Sequence, residues 1–331
     1  MDQAVWLAQV NETVLDPDLP ICDPHHHLWD HPGSRYLLDE LLGDTGSGHN
    51  VVSTVFVECA SMYRADGPDA LKPVGETEFV NGVAAMTASG RYGAIRAAAG
   101  IVSLADLTLG SRVGEVLDAH IGVGPRFKGI RHAVGWDAAD SVRNSHTNPT
   151  QGLLLDSTFR KGFAELGKRG LSFDAWLYHP QIPQLTDLAR AFPGTTIILD
   201  HFGGPLGVGP YEGKRAEIFA YWKEAIRDLA ACPNVVAKLG GIAMPINGFG
   251  FHKRERPATS AELVAATGDY YRHAIDCFGP QRCMFESNFP VDKASCSYRT
   301  LWNSFKKIAA GASASEKAAL FHNTAARVYR L

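Results

Sequence analysis

Asp23-Pro-His-His-His-Leu-Trp-Asp30 ends a short apolar run that begins at Ile21, and its reading decides the fold. Strand side chains alternate between faces, so Asp23, His25 and His27 are expected on one side, Pro24 and His26 on the other. Two imidazoles at i and i+2 stand roughly 6.6 Å apart along a strand. That spacing suits convergence on one ion or on one substrate carbonyl. A His-x-His alone can be an accident of a surface turn. Here two further apolar runs end in the same residue type, Phe173-Asp-Ala-Trp-Leu-Tyr-His179 and Ile197-Ile-Leu-Asp-His201. Three strands ending in imidazole point to one shared site at one end of a sheet.

Outward from that stretch, eight short β-rich runs recur, at 21–27, 51–58, 95–102, 127–132, 172–179, 195–201, 235–240 and 283–288. Several are apolar throughout, as parallel strands buried on both faces are. Helical patterns separate many of them, most clearly at 159–169, 182–191 and 216–231, and helices over 298–309 and 315–329 close the chain. Alternating strand and helix predicts a parallel sheet, and eight such units predict a closed (β/α)8 TIM barrel forming a single domain over 1–331. The connections 60–81, 135–158 and 243–262 are long, and each follows a strand. In a barrel they overlie the C-terminal face, where barrel active sites occur.

The chain has 331 residues, a formal net charge of −3, 45% hydrophobic and 20% charged residues. This is an ordinary enzyme-like balance, with no general attraction to nucleic acid or to an anionic membrane. No basic run suggests a nucleic-acid footprint, no apolar segment approaches a membrane span, and the N-terminus lacks a signal-peptide pattern. A soluble, cytoplasmic protein acting on a small molecule is expected, with a homo-oligomer left open. The six cysteines form no Cys-x-x-Cys pair and are expected as free thiols. The run Gly203-Gly-Pro-Leu-Gly-Val-Gly209 lacks the dinucleotide fingerprint's spacing, and there is no Gly-x-Ser-x-Gly elbow.

Other strand ends are polar too. The last strand carries Glu286 and Asn288, expected on one face with Glu286 deeper. Strand four ends in Arg131 and His132. Arg131 suits either a bidentate grip on a substrate carboxylate or an ion pair with a barrel acid such as Glu58 or Glu286. Tyr63 and Arg64, just after strand two, are weaker substrate-binding candidates. The loop Met244-Pro-Ile-Asn-Gly-Phe-Gly-Phe-His252 offers aromatics, and His252, as a lid over a ring-shaped ligand.

The segments Asp23–Asp30, Lys128-Gly-Ile-Arg-His132, Leu199-Asp-His-Phe-Gly-Gly204 and Phe285-Glu-Ser-Asn-Phe-Pro290 resemble the amidohydrolase-related family. The similarity is greatest to its lactonases acting on pyrone dicarboxylates, muconolactones and sugar lactones. The resemblance implies a (β/α)8 barrel with histidines at the positions of His25, His27, His179 and His201, and an aspartate at the end of strand eight. Asn288 stands there instead, and an amide takes no proton. The base role therefore passes first to Glu286, with Asp292 and Asp23 behind it. Lys128 lies near the start of strand four, at the wrong end to bridge two metals, so at most one ion is expected.

On this reading the chain hydrolyses a lactone that is carboxylated or of sugar type. His25, His27 and His179, with one divalent ion (Zn2+ first) or without metal, polarise the carbonyl. His201 steadies the oxyanion or shuttles a proton, Glu286 activates water, Asn288 positions it, and Arg131 with Arg64 holds an anionic end. The rivals are amide hydrolysis, non-oxidative decarboxylation of an aromatic acid, and a ligand-binding barrel that has lost its base.

Overall fold

The computed structural model describes residues 2–331. Eight parallel strands follow one another in chain order around one sheet. They are β1 Ile21–His26, β2 Val51–Val57, β3 Arg96–Ser103, β4 Phe127–Arg131, β5 Ser172–Ala175, β6 Ile197–Leu199, β7 Val235–Leu239 and β8 Cys283–Phe285. The ends of the sheet meet just beyond β8. There the Asn288 amide donates to the His25 carbonyl at 2.9 Å and the His27 amide to the Phe289 carbonyl at 2.8 Å. With helices between the strands, this is the (β/α)8 barrel that the sequence predicts.

Local chemistry sets the elements. β6 is Ile-Ile-Leu with every residue buried, as a strand covered on both faces requires. The helix Ser157–Lys168 starts where the Asp156 carboxylate accepts the Thr158 and Phe159 amides at 2.8 Å. Thr259 and Glu262 cap Ser260–Phe278 reciprocally. The connection after β2 is shorter than expected, because a helix already begins at Val74. The helix expected over 315–329 is interrupted by a π turn at Ala319–Asn323.

Two apolar layers lie on either side of the sheet. The larger joins its outer face to the helices. Inside the barrel, Val55, Val102, Ile198 and Met284 pack against Val328 and Tyr329 from the end of the chain. At that end Lys128 donates to the Arg330 carbonyl at 3.1 Å. The C-terminal segment thus fills the lower barrel largely with apolar atoms. Among the described residues no helix is long and apolar enough to cross a membrane, and all six cysteines are free.

Three strands stop before the histidine or asparagine that was read as their last residue. β5 ends at Ala175, β6 at Leu199 and β8 at Phe285. His201, Phe202 and Asn288 have φ of 52°, 59° and 56°, the left-handed region that non-glycine residues rarely adopt. Strand alternation therefore fails just where the chemistry begins. It fails in β1 too, where pairing with β2 is irregular between Asp23 and His26. Asp23 turns to the helical layer, accepting from the Tyr298 hydroxyl and the Ser287 amide at 2.9 Å each. It does not share the face of His25.

Candidate active site

His25, His27 and His201 meet at the mouth. The His25 ring lies 4.5 Å from that of His201 and 5.0 Å from that of His27, centroid to centroid. All three are buried. Their Nδ1 atoms are tied from below or behind. The Val57 carbonyl lies 2.8 Å from His27 Nδ1, and Glu286 Oε1 lies 2.6 Å from His201 Nδ1. The other Glu286 oxygen is 2.8 Å from His25 Nδ1, close but not aligned with an N–H bond, and Lys238 Nζ is 3.3 Å from the same nitrogen. One carboxylate thus braces two imidazoles. Bracing at Nδ1 leaves the Nε2 atoms of His27 and His201 for a ligand, as in metal-binding histidines, whereas His25 approaches Asp200 through Nδ1 at 3.9 Å.

Two glycines make the bracing possible. A Cβ at Gly240 would stand 2.4 Å from the Glu286 Cγ, and one at Gly241 would stand 2.2 Å from His201 Nδ1. Any larger residue at either position displaces the catalytic candidates.

Beneath the rings lies a buried charge network. Lys238 on β7 is fully enclosed and donates to Asp174 Oδ2 at 2.6 Å. Tyr329, from the C-terminal plug, donates to the same oxygen at 2.7 Å. Asp200 makes no hydrogen bond with either oxygen; its nearest cations are Lys238 at 3.3 Å and Arg131 at 3.8 Å. Arg131 donates from Nε to Glu58 Oε1 at 2.7 Å and from Nη2 to the Glu58 carbonyl at 2.6 Å. Its Nη1 lies 3.4 Å from His25 Nε2.

Burial governs the protonation states. It pushes Glu286 up to about 8 and Asp200 up to about 6. It pulls His27 and His201 down to about 3 and His25 well below its ordinary value, with Lys238 adding to the His25 shift. Glu58 goes the other way: burial raises it, but Arg131 and His146 outweigh that and hold it at about 2.

The donor set suits a divalent cation. A nitrogen each from His25 and His201 and an oxygen from Asp200 lie within 4.8 Å of one another. The unpartnered oxygens of Asp200 point the same way. So does charge: the permanent cations beside Glu58, Asp174, Asp200 and Glu286 are Lys238 and Arg131. With every group ionised that is an excess of negative charge, which a dry interior does not sustain without protons or a cation.

The expected site residues therefore divide. His25, His27, His201 and Glu286 come together. Glu286 is fully buried, with its two oxygens against the Nδ1 atoms of His201 and His25. The three-residue ligand grouping is His25, Asp200 and His201, whereas His25, His27 and His179 were expected. His179 is carried away because β5 ends four residues earlier. Its Nδ1 accepts the Leu206 amide at 3.2 Å, and its ring packs on Tyr211 and Tyr221. Asn288 donates to Asp292 at 3.3 Å. Arg131 takes the ion-pair role with Glu58. Arg64 is exposed and pairs with Glu78. His132 accepts the Leu107 amide at 3.2 Å and borders a cleft with Asp106 and Thr147. His252 lines a separate cavity of about 480 Å³ with Tyr211 and Arg215. The Tyr63 hydroxyl is buried and unpartnered, with Glu76 and Glu58 the nearest charges acting on it.

Sequence reasoning missed Asp174, Asp200, Lys238, His146 and Tyr329. Two of these left a signal. Asp174 and Lys238 interrupt apolar strands, and a charge inside such a strand must find a partner.

Known proteins share this architecture. The family model described as Amidohydrolase matches residues 22–331. The uncharacterized protein y4mH of Sinorhizobium fredii is 35% identical over 95% of this chain and 99% of its own. An L-fucono-1,5-lactonase of Burkholderia multivorans is 27% identical over 93% of this chain and 95% of its own. A crystal structure of an amidohydrolase from Burkholderia multivorans with bound zinc superposes with a TM-score of 0.72 at 26% identity, covering 94% of this chain and 99% of that one.

Proposed function

Because the chain belongs to the amidohydrolase family, we propose that it is a hydrolase opening a neutral, polyhydroxylated lactone of the sugar type. The observation that carries this reading is the pair of imidazoles, His25 and His201, braced on the single carboxylate of Glu286 beside an unpartnered Asp200. A divalent ion held by His25, His201 and Asp200 would supply a Lewis acid for the ester carbonyl and lower the pKa of water towards about 7. The protein's part is orientation. Glu286 stops both rings rotating, and Lys238 and Asp174 fix the floor beneath them. Trp176 stands edge-on to the His201 ring at 5.0 Å, and Trp29 stacks on His27 at 5.9 Å, so aromatic walls flank the centre.

The substrate class follows from which groups are still free. Arg131 is committed to Glu58, Arg64 to Glu78, and Arg215 to the Asn247 carbonyl and the face of Phe249. No spare guanidinium among these meets a substrate carboxylate. Two buried atoms on the β2 side are unpartnered, Tyr63 OH and Glu76 Oε2, and burial with the neighbouring Glu58 pushes Glu76 up to about 8. A neutral carboxyl and a phenol suit ring hydroxyls, and the ionised Glu58 beside them repels an added anion. The name of the Burkholderia relative supports the same class.

The test is a panel of neutral aldonolactones, carboxylated lactones and hydroxybenzoates, run with elemental analysis of the purified protein. The reading expects ring opening of a neutral lactone, lost in a His25→Ala His201→Ala variant. Release of CO2 from a hydroxybenzoate, or lactone turnover that survives the double substitution, rejects it.

A further inference from the structure

Hydrolysis needs a group that takes a proton from the attacking water, and most acids and bases at the mouth are already engaged. Both Glu286 oxygens lie against imidazole Nδ1 atoms. Asp174 is held by Lys238 and Tyr329. Asp200 belongs to the ligand grouping. Asp292 is enclosed behind Asn288, whose amide takes no proton. Apart from these stands His146, on the loop that follows β4.

His146 is 36% exposed, and its Nε2 lies 3.2 Å from Glu58 Oε2, an ion-pair distance at which no N–H bond is aligned on that oxygen. The loop is pinned on both sides of it. The Ser145 amide donates to the Gly135 carbonyl at 2.8 Å, and the Thr147 hydroxyl donates to the Ala133 carbonyl. Upstream, Asn144 accepts the Asp137 amide at 2.7 Å. Glu58 is itself fixed by Arg131, which reaches His25 Nε2 at 3.4 Å. A chain of contacts thus runs from His25 through Arg131 and Glu58 to His146. An imidazole with one nitrogen beside a buried carboxylate and its ring bordering solvent has the pairing of a general base with an acid able to orient it.

We propose that His146 is the general base of the hydrolysis, oriented by Glu58; this rests on the hydrolytic reading above. The water proton passes to His146 Nδ1 as the water oxygen bonds to the lactone carbonyl carbon. The tetrahedral intermediate then collapses. The ring C–O bond breaks, the electron pair stays on the departing alkoxide oxygen, and the proton returns from His146 to that oxygen. The product is the open hydroxy acid, with no net change in the enzyme.

The test compares His146→Ala and His146→Gln with wild type on the lactone found active in the panel, with and without added imidazole. The glutamine amide still donates to Glu58 and keeps the loop docked. Both variants should lose about 10²–10⁴-fold in kcat with KM changed less than about threefold. Imidazole should restore the alanine variant in a saturable manner and leave wild type unaffected. A kcat within about tenfold of wild type in either folded variant overturns the proposal. So does a loss in the alanine variant that imidazole does not rescue, since that marks a structural role. Wild type inactive on every lactone rejects the hydrolytic reading instead, so the two failures are separable.

Discussion

Glu286→Gln is the substitution whose consequence can be worked furthest from the geometry. The glutamate offers one oxygen at 2.6 Å to His201 Nδ1 and the other at 2.8 Å to His25 Nδ1. Glutamine keeps the shape but replaces one oxygen with an NH2 donor. With that NH2 on the His201 side, the His201 Nδ1 must be unprotonated, so this ring flips tautomer or rotates and its Nε2 becomes a donor instead of a lone pair. Nothing is removed from the core, so no cavity forms and the melting temperature should move by only a few degrees. Disturbing a carboxylate that orients a metal-binding histidine typically costs 10–100-fold in metal affinity or activity. Those factors correspond to about 1.4–2.7 kcal/mol. Two assays read it: zinc affinity by chelator competition, and 15N chemical shifts of the His25 and His201 rings in metal-free protein. Loss within that range, with one ring changing tautomer, supports the bracing role. A folded variant with unchanged zinc affinity and unchanged ring shifts refutes it. A loss of 10³-fold or more in kcat at unchanged zinc affinity would instead return Glu286 to the role of base.

Three further outcomes follow from the same contacts. Lys238→Met leaves Asp174 and Asp200 in a dry interior without their ammonium, and should destabilise the fold by about 3–5 kcal/mol in urea unfolding. Gly241→Ala places a methyl 2.2 Å from His201 Nδ1 on a backbone with φ of 69°, and should cut activity at least about 100-fold while the protein still folds. Glu76→Gln tests a pH dependence. Burial raises the folded-state value to about 8, well above that of the unfolded chain, so the folded state binds the extra proton between the two values. Wild-type stability therefore falls as pH rises from about 5 to about 8, whereas the glutamine, which resembles the protonated acid, does not titrate. The variant's melting temperature should match wild type near pH 5 and exceed it near pH 8.5.

The barrel was legible because its signal is long-range and redundant. Eight apolar runs separated by helical patterns admit few arrangements, and Ile197-Ile-Leu199 needs no partner to read as a buried strand. His25, His27 and His201 were legible as a set because they follow such runs. What resisted reading lies where the backbone leaves the strand. His179 was assigned to the mouth on the assumption that β5 continued to it, and the loop after Ala175 delivers it to Tyr211. Asp23 was placed beside His25 by alternation, which the irregularity in β1 breaks. Asp200 directly precedes His201 and follows a buried strand, a position where a capping aspartate is ordinary, and a lone lysine in a strand, as at Lys238, carries no label for its partners. Tyr329 lies 155 residues from Asp174, and no local pattern links them. His146 sits in a loop of polar residues whose fold depends on the Gly135 and Ala133 carbonyls.

The measurement that bears most directly on the account is the ratio of kcat/KM for a neutral polyhydroxylated lactone to that for a dicarboxylated pyrone lactone, at fixed pH and zinc concentration. Groups committed as they are here, with Arg131 locked on Glu58 and unpartnered hydroxyl-binding atoms on the β2 side, predict a preference of about 100-fold or more for the neutral ring, since each mismatched buried charge costs several kcal/mol. Equal turnover, or a preference for the dicarboxylate, would contradict it.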